Sequence, residues 1–310
     1  MIMSTTPQSN HHLPLVSIIM ATYNRAHTIV RAVDSVMNQT YKDFELIIVD
    51  DGSTDNTLEI LKKYNDPRIR ILINDTNKGV TAAKNRGFKQ IKGEWFGTFD
   101  SDDELKPYAI ETLMDIPLNV DSTVNSVIGN CVDANTGKLT GKGLTKDGYI
   151  NGNEVQAYVG GDFWGLIKTS LLQNDLFNEN IRGLEATLWY KINARANKYY
   201  THKILDIIHT EGADRVSTSK FKLKKSETKF EHLIEEDFFL EITSRYKPKS
   251  FYTICRNGIL IMNATGKRDI ADRYYKLFRK NSKMNFKIEL VYRFRILSSL
   301  IRLYSKIFRK

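Results

Sequence analysis

Two short acidic segments carry the residue types best suited to chemistry in this sequence. Asp100 and Asp102 stand one residue apart, and Asp51 precedes Gly52 in a second segment. Two carboxylates at that spacing can point into the same cleft, and hard cations such as Mg²⁺ and Mn²⁺ prefer oxygen ligands of this kind. Such a cation lowers the barrier to departure of a diphosphate by stabilising its growing charge. The structural alternative is a solvated acidic turn that caps the helix near Pro107.

The second acidic segment has two interpretations that are compatible with each other. The carboxylate of Asp51 can accept hydrogen bonds from a ribose or a base. As a plain β-α turn, the same segment would use Gly52 for a positive φ and Asp55 as a helix cap.

Alternating strand and helix patterns predict the elements that position these acids. Apolar runs predict strands, and apolar residues at helical spacing predict helices. The strands are predicted at 16–21, 44–49, 68–73 and 95–99, and the helices at 28–39, 55–64 and 79–91. Repeated β-α units indicate an α/β fold with a mostly parallel sheet flanked by helices, in which ligands bind beyond the carboxyl ends of the strands. Thr22, Asp51 and Asp100 each follow such a strand closely.

The second half of the chain is less regular. Strands are predicted at 123–131, 162–167 and 199–209, a helix at 184–196, and a hairpin or loop at 135–150. From about residue 222 the pattern is helical, with 231–242 and 252–278 as the clearest stretches. A polar and basic stretch at 217–224 predicts a domain boundary.

Size and composition favour a globular protein. The chain has 310 residues, of which 41% are hydrophobic, enough for one large α/β domain and a smaller appendage. Cys131 and Cys255 follow no metal-binding spacing, which fits a reducing cytoplasm. Residues 1–13 lack the features of a signal peptide, and no run of 18 apolar residues predicts a transmembrane helix.

Five segments of the chain, in order, resemble glycosyltransferase family 2. They are residues 16–25, 50–55, 77–79, 84–87 and 100–103. The resemblance covers roughly residues 14 to 215, and it implies a GT-A fold, inverting chemistry and a UDP-sugar donor. It also implies a donor site made of Thr22, Tyr23, Asn24, Arg25, Asp51, Lys84, Asp100 and Ser101.

The resemblance further assigns roles within this site. Thr22 and Asp51 would hold the uridine, while Asp100 and Asp102 would face the diphosphate, with Asp102 as the direct ligand of Mn²⁺ or Mg²⁺. Lys84 stands where the family often has Arg, and it would neutralise a phosphate without the bidentate contact that Arg makes.

An inverting transfer also needs a base for the acceptor hydroxyl. The family supplies an acid pair just before a helix, and here the matching segment is 183–189. An alignment on Leu188 and Trp189 places Glu185 at the position of the family's catalytic acid. An alignment shifted by one residue makes Glu185 the first acid of the pair and places Ala186 at the catalytic position. In both alignments Glu185 is the one acid of the pair that this sequence contains. The alternative is that Glu185 has a structural role only, as a carboxylate stabilised by the dipole at the first turn of a helix.

Three further residues are candidates for the site. His209 follows a strand and resembles the late His or Asp that completes the metal shell in GT-A enzymes, although a lone His is as often structural. Asp162 and Trp164 are predicted on the acceptor side, where the indole ring would stack on a sugar; core packing is the alternative for an aromatic residue.

The C-terminal segment predicts a contact with an anionic membrane. Residues 280–310 contain nine Lys or Arg and one acidic residue, which accounts for most of the net charge of +10. Apolar residues recur every three to four positions on another face, namely Leu290, Phe294, Leu297, Ile301, Tyr304 and Phe308. A basic amphipathic helix suits an anionic bilayer. The alternative is a helix whose apolar stripe packs on the protein. Nucleic acid is not expected as a partner.

We therefore expect four regions. They are a loose tail at 1–13, a GT-A catalytic domain at 14–217, a helical region at 218–282 and a basic amphipathic helix at 283–310. The catalytic domain would divide into a nucleotide-binding half (14–106) and an acceptor half (107–217). The expected activity is transfer of a sugar from a nucleotide sugar to a hydroxyl of a glycan or lipid-linked acceptor, at the inner face of the cytoplasmic membrane. The alternatives are a sugar nucleotidyltransferase, which would be expected to have a Gly-rich loop after the first strand, and a non-catalytic subunit, which should have lost the acidic motif.

Overall fold

The structure, a computed structural model, describes residues 14–150, 152–181, 183–210 and 223–281. The predicted tail at 1–13 and the basic helix at 283–310 lie outside these residues, as does most of the stretch predicted as a domain boundary. Among the helices that are described, none combines the length and the apolar character needed to cross a bilayer.

Strands and helices alternate through the first hundred residues and mix less regularly afterwards. The strands are β1 (Val16–Thr22), β2 (Phe44–Asp50), β3 (Ile69–Ile73), β4 (Trp95–Asp100), β5 (Glu104–Leu105), β6 (Ser126–Asp133), β7 (Gly148–Ile150), β8 (Phe163–Lys168) and β9 (Lys198–Ile208). The helices are α1 (Ile29–Met37), α2 (Thr57–Leu61), α3 (Val80–Phe88), α4 (Ala109–Asp115), α5 (Ala186–Arg195), α6 (Leu223–Leu233), α7 (Asp237–Tyr246), α8 (Pro248–Thr265) and α9 (Arg268–Asn281).

All nine of these strands form one mixed sheet. Its order is β3-β2-β1-β4-β8-β6-β9-β5, and β7 pairs with β9. The pairs β1–β2, β1–β4 and β2–β3 are parallel, as the β-α alternation predicts. Strand β8 joins antiparallel to β4 and β6, whereas β6 and β9 run parallel. The mostly parallel sheet flanked by helices confirms the predicted fold class.

The core of the first half lies between the sheet and its helices. Strand β2 is buried along its whole length because helices cover both faces of the sheet. Helix α1 turns its apolar face to the sheet, where Ile29, Ala32, Val33 and Val36 are buried. The apolar residues that recur about every 3.6 positions in this helix are therefore the residues that pack on the sheet.

The helical region differs from the prediction at two places. The stretch 231–242, predicted as one helix, is broken after Leu233, and α7 begins at Asp237. The turn keeps Leu233 and Leu240 in the same buried cluster. The stretch 252–278 is likewise divided, because Gly266 ends α8 with φ 90°. The amide of Lys267 donates to the Met262 carbonyl at 2.8 Å, a hydrogen bond typical of a glycine-terminated helix.

Helix α5 joins the sheet domain to the helical region. Its Leu188 and Ile192 are buried in a cluster with Phe177. On another face, Tyr190 stacks on Phe239 of α7 with ring centroids 5.3 Å apart. The helix that follows Glu185 is thus held by packing on two sides.

Candidate functional site

The candidate site lies where β1, β2 and β4 end. Strand β1 is flanked by β2 on one side and β4 on the other, all parallel. Thr22 pairs with Asp50, and Ala21 pairs with Asp100, so the three strands end at one level. The loops that follow them therefore adjoin, and the topology brings the two predicted acidic segments to one edge of the sheet.

The loop after β1 is bound to the loop after β2. The amide of Asn24 donates to the Ser53 hydroxyl at 2.9 Å, and the Asn24 side-chain oxygen accepts from the Thr54 amide at 2.8 Å. Asn24 has φ 52°, a left-handed conformation that Asn tolerates better than most residues. Of the residues predicted to bind the donor, Asn24 thus has its side-chain oxygen committed to this turn, while the neighbouring Tyr23 is exposed.

Asp51 connects the end of β2 to the segment that precedes α3. Its carboxylate, 2% exposed, accepts from the amides of Lys78 at 3.0 Å and Gly79 at 2.7 Å. The side-chain amide of Asn74 donates to the same carboxylate at 2.7 Å. These contacts fix the segment before α3. The hydroxyl of Thr22 is buried without a partner among the described residues. The contact of Thr22 and Asp51 with a uridine stays a prediction.

Lys84 and Asp100 form an ion pair at the mouth of the site. The Lys84 Nζ lies 3.1 Å from Asp100 Oδ1, with the Lys84 side chain 12% exposed and that of Asp100 61% exposed. The charge of Lys84 lowers the pKa of Asp100, and burial opposes this effect. Burial alone would lower the pKa of Lys84, but Asp100 raises it. Both groups are therefore charged at neutral pH.

Asp102 faces a second cation. Its Oδ2 lies 3.6 Å from Arg25 Nη2, and both side chains are mostly buried. The residue between the two acids, Ser101, is buried, and its carbonyl accepts a hydrogen bond from Thr28 at 3.0 Å. The predicted donor residues Arg25, Asp100 and Ser101 therefore lie together with the predicted metal ligand Asp102.

Two buried carboxylates near Asp100 and Asp102 were given no role by the sequence prediction. Burial raises the pKa of Asp103 to about 8 and that of Asp206 to about 7, and each of these carboxylates lies near other acidic groups. Asp206 comes from β9, which is distant in sequence. The charge pattern of β9 offered no signal for it, although Asp103 adjoins the acidic motif.

His209 contacts one of these buried carboxylates, Asp103, and the neighbouring Glu104. Its amide donates to Asp103 Oδ1 at 2.9 Å, and its Nε2 lies 3.4 Å from Glu104 Oε2. Within the described part of the chain, no three His, Cys, Asp or Glu side chains are grouped so that they could hold a metal. The structure therefore does not bring His209 together with Asp100 and Asp102 as a three-ligand set.

Glu185 lies close enough to the ion pair to act on it. It immediately precedes α5 and is half-buried. Its charge contributes to the raised pKa of Lys84. It also opposes the effect of burial, which lowers the pKa of Lys229 on α6. Lys229 was absent from the sequence prediction, because nothing in the helical pattern of α6 indicates which residue reaches the site.

The two residues predicted on the acceptor side have different surroundings. Asp162 is exposed at the start of β8. Trp164 is 5% exposed, and its Nε1 donates to the Thr98 carbonyl at 3.1 Å while its ring packs edge-on against Phe99. The burial of the Trp164 ring favours the alternative of core packing over stacking on an acceptor sugar.

The oxygen donors present suit a divalent cation that shares its ligands with a substrate. Asp100 and Asp102 supply two carboxylates, and the side chain of Asp100 is largely exposed. Mg²⁺ and similar ions are commonly held by one or two carboxylates together with substrate phosphates and water. The lack of a third protein ligand among the described residues is compatible with that arrangement.

Comparison with known proteins identifies the family. Residues 17–170 match the family model for Glycosyl transferase family 2. The GalNAc(5)-diNAcBac-PP-undecaprenol beta-1,3-glucosyltransferase of Campylobacter jejuni is 35% identical over 218 residues, which cover 68% of this chain and 69% of that enzyme. The chain belongs to glycosyl transferase family 2. As a member of family 2 it is a glycosyltransferase rather than a nucleotidyltransferase.

Two further proteins are similar to this family 2 glycosyltransferase, one over a shorter segment and one in structure at lower sequence identity. The UDP-Glc:alpha-D-GlcNAc-diphosphoundecaprenol beta-1,3-glucosyltransferase WfgD of Escherichia coli is 37% identical over 128 residues, so the match spans 41% of this chain and half of that enzyme. Staphylococcus aureus TarS 1-349 in complex with UDP-GlcNAc has a TM-score of 0.57 and 20% identity, with 87% of this chain and 93% of that chain covered. The latter likeness supports the GT-A fold.

Proposed function

We propose that this enzyme transfers a sugar from a nucleotide sugar, with UDP as the nucleotide, to a hydroxyl of a lipid-linked glycan, with inversion at the anomeric carbon. The observation that carries the proposal is the proximity of the Lys84–Asp100 pair, the Arg25–Asp102 pair and Glu185 at the end of β4. Cations and carboxylates in this combination can balance a diphosphate on one side and receive a proton on the other.

Donor binding is assigned to the loops at the ends of β1, β2 and β4. Lys84 and Arg25 are the cations that pair with the carboxylates of the acidic motif, and each can exchange part of its carboxylate contact for a phosphate oxygen. A divalent cation held by Asp100 and Asp102 would supply electrostatic stabilisation of the leaving diphosphate. The exposed side of Asp100 leaves room for such sharing.

Glu185 is proposed as the general base. As the acceptor oxygen forms its bond to the anomeric carbon, the bond from that carbon to the diphosphate breaks, and the acceptor proton passes to the Glu185 carboxylate. The products are the glycosylated acceptor and the free nucleoside diphosphate. Because Glu185 precedes a helix that is packed on two sides, its backbone position is well defined.

The acceptor class is proposed from the relatives. The Campylobacter and E. coli enzymes are both named as glucosyltransferases that act on an undecaprenol-linked diphosphate acceptor. An acceptor of that kind is held at a membrane, which agrees with the predicted basic helix at 283–310. We extend the acceptor class to this enzyme, and leave the donor sugar to experiment.

A panel of nucleotide sugars tests the proposal. The purified enzyme is incubated with Mn²⁺ and each of several UDP-, GDP- and TDP-sugars, and released nucleoside diphosphate is measured with and without an undecaprenyl-diphosphate glycan. We expect release with a UDP-sugar that rises on addition of the acceptor, and no release by Asp102→Asn. The control is the melting temperature of Asp102→Asn without Mn²⁺, which should match that of the wild type. Turnover by a folded Asp102→Asn variant would contradict the assigned site.

A further inference from the structure

Helix α1 presents a polar stripe to the acidic loop, residues 101–106. The stripe consists of Arg31 and Ser35 on α1, Thr28 directly before the helix and Gln39 two residues after it, and it lies on a different face from the buried Val33 and Val36. Residues three and four apart lie on one side of a helix, so Arg31 and Ser35 face the loop together, and the two flanking residues extend the row at either end.

Each residue of the polar stripe makes a hydrogen bond to the loop backbone. The partners are, in order, the Ser101 carbonyl at 3.0 Å, the Asp102 carbonyl at 2.5 Å, the Leu105 amide at 3.1 Å and the Lys106 carbonyl at 2.8 Å. The loop has little strand pairing of its own, because β5 is only two residues long. Side chains of α1 therefore satisfy much of the loop backbone.

Arg31 is the residue of the polar stripe that holds Asp102 itself. Its Nη2 donates to the carbonyl of Asp102, while the carboxylate of the same residue lies 3.6 Å from Arg25. A peptide held at its carbonyl has restricted backbone dihedrals, and these set the direction in which the side chain leaves the backbone. The Nε of Arg31 is buried without a partner among the described residues. Such a group is unusual and merits a functional explanation.

We propose that Arg31 is a positioning residue for the Asp102 carboxylate, and that it acts through the peptide backbone rather than by touching substrate. The inference rests on the proposed function, in which Asp102 helps to hold a divalent cation against the donor diphosphate. Loss of Arg31 would free the Asp102 carbonyl to rotate and would leave the carboxylate paired with Arg25 but poorly directed toward the cation.

A purely structural role makes a different prediction. If Arg31 only stabilised the fold, its removal would lower the melting temperature and leave the affinity of the folded protein for Mn²⁺ unchanged. Groups that orient a metal ligand instead change metal affinity or activity by about 10–100-fold when they are mutated.

The test uses the full chain in the presence of saturating UDP. Mn²⁺ binding is measured by electron paramagnetic resonance for the wild type, Arg31→Met and Arg31→Lys, well below the melting temperature of each. We expect Arg31→Met to weaken Mn²⁺ binding about tenfold, and Arg31→Lys, which retains a donor, to recover most of the loss. Arg68→Met is the matched control, because Arg68 is half-buried like Arg31 but pairs with Asp66 at another edge of the sheet.

The outcomes separate this inference from the proposed function. Wild-type affinity in folded Arg31→Met, or an equal loss in Arg68→Met, would overturn the positioning role alone. Failure of the wild type to bind Mn²⁺ with UDP would overturn both. If Arg31→Met does not fold, Arg31→Gln tests the same question, because Gln is too short to reach the Asp102 carbonyl from α1. Wild-type affinity of Arg31→Gln for Mn²⁺ would overturn the inference.

Discussion

The ammonium group of Lys84 lies 3.1 Å from the carboxylate of Asp100, with the lysine enclosed and the aspartate open to solvent. An anionic ligand that approaches from solvent therefore meets Asp100 first and reaches the lysine charge beside it. This arrangement suits a diphosphate that arrives with a divalent cation, because the cation screens the repulsion from Asp100.

Replacement of Lys84 should separate phosphate binding from nucleoside binding. We expect Lys84→Met to weaken UDP binding by about tenfold, since hydrogen bonds to charged groups contribute about 1.5–3 kcal/mol. Uridine binding should be unchanged because uridine carries no phosphate. Calorimetric titration of both ligands measures the difference, with Lys84→Arg as the control that keeps the charge. Equal losses for UDP and uridine would show that Lys84 only supports the cleft wall.

Glu185→Gln should reduce turnover while leaving UDP affinity intact. A general base contributes about 10²–10⁴-fold to the rate, and it acts on the acceptor proton rather than on the nucleotide. Steady-state assays with the preferred donor, together with UDP titration, measure the two effects. Asp162→Asn is the matched control, as Asp162 is the other carboxylate predicted on the acceptor side. Near-normal turnover in Glu185→Gln with a large loss in Asp162→Asn would move the base to Asp162.

Gly52→Ala should destabilise the fold. Gly52 has φ 75°, and a Cβ there would lie 2.8 Å from the backbone carbon of Thr76. The left-handed conformation alone costs roughly 1–2 kcal/mol for a residue with a Cβ, and the contact with a backbone atom adds to it. Denaturant unfolding measures the change in the free energy of unfolding.

Gly137→Ala is the control for Gly52→Ala. Gly137 has φ 66°, and nothing lies within 4 Å of a Cβ built there. This variant should show the conformational cost without the clash. If both variants lose the same stability, the segment at Thr76 adapts to the added methyl group, and the contact inferred at Gly52 has no energetic weight.

Removal of residues 282–310 should release the enzyme from anionic membranes. Basic residues near such a surface contribute on the order of 1 kcal/mol each, and added salt screens this attraction. Co-sedimentation with vesicles of phosphatidylglycerol measures binding, with phosphatidylcholine vesicles as the uncharged control. Transfer to a small soluble acceptor should survive the truncation. Equal sedimentation of the full and shortened chains would indicate that the segment packs on the protein instead.

Local patterns in the sequence were sufficient to predict the sheet of the first half and the two acids after β4. Buried strands and amphipathic helices leave short-range signals, and parallel topology then brings the strand ends together. The break at Gly266 was missed, although glycine commonly follows the end of a helix and marks such a break in a sequence. The turn after Leu233 was missed as well, because apolar spacing continues across it.

Other parts of the site depend on contacts between distant segments. Trp164 packs against Phe99, and this contact directs its ring into the core. The sequence around either residue does not indicate that the two are in contact. Asp206 on β9 and Lys229 on α6 reach the vicinity of the site, although each residue lies more than 100 residues after the acidic motif. A polar residue on a surface helix such as α1 looks solvated until the loop that it contacts is known.

The contact between Tyr190 and Phe239 limits how the protein can be divided. Ile181 and Tyr190, both on the sheet side of the predicted boundary near 217, are buried in the same cluster as residues from α6 to α9. A fragment that ended at the boundary would expose this apolar surface beside Glu185. Limited proteolysis or domain exchange at that point should therefore yield an aggregation-prone half with a misplaced acid, rather than a smaller active enzyme.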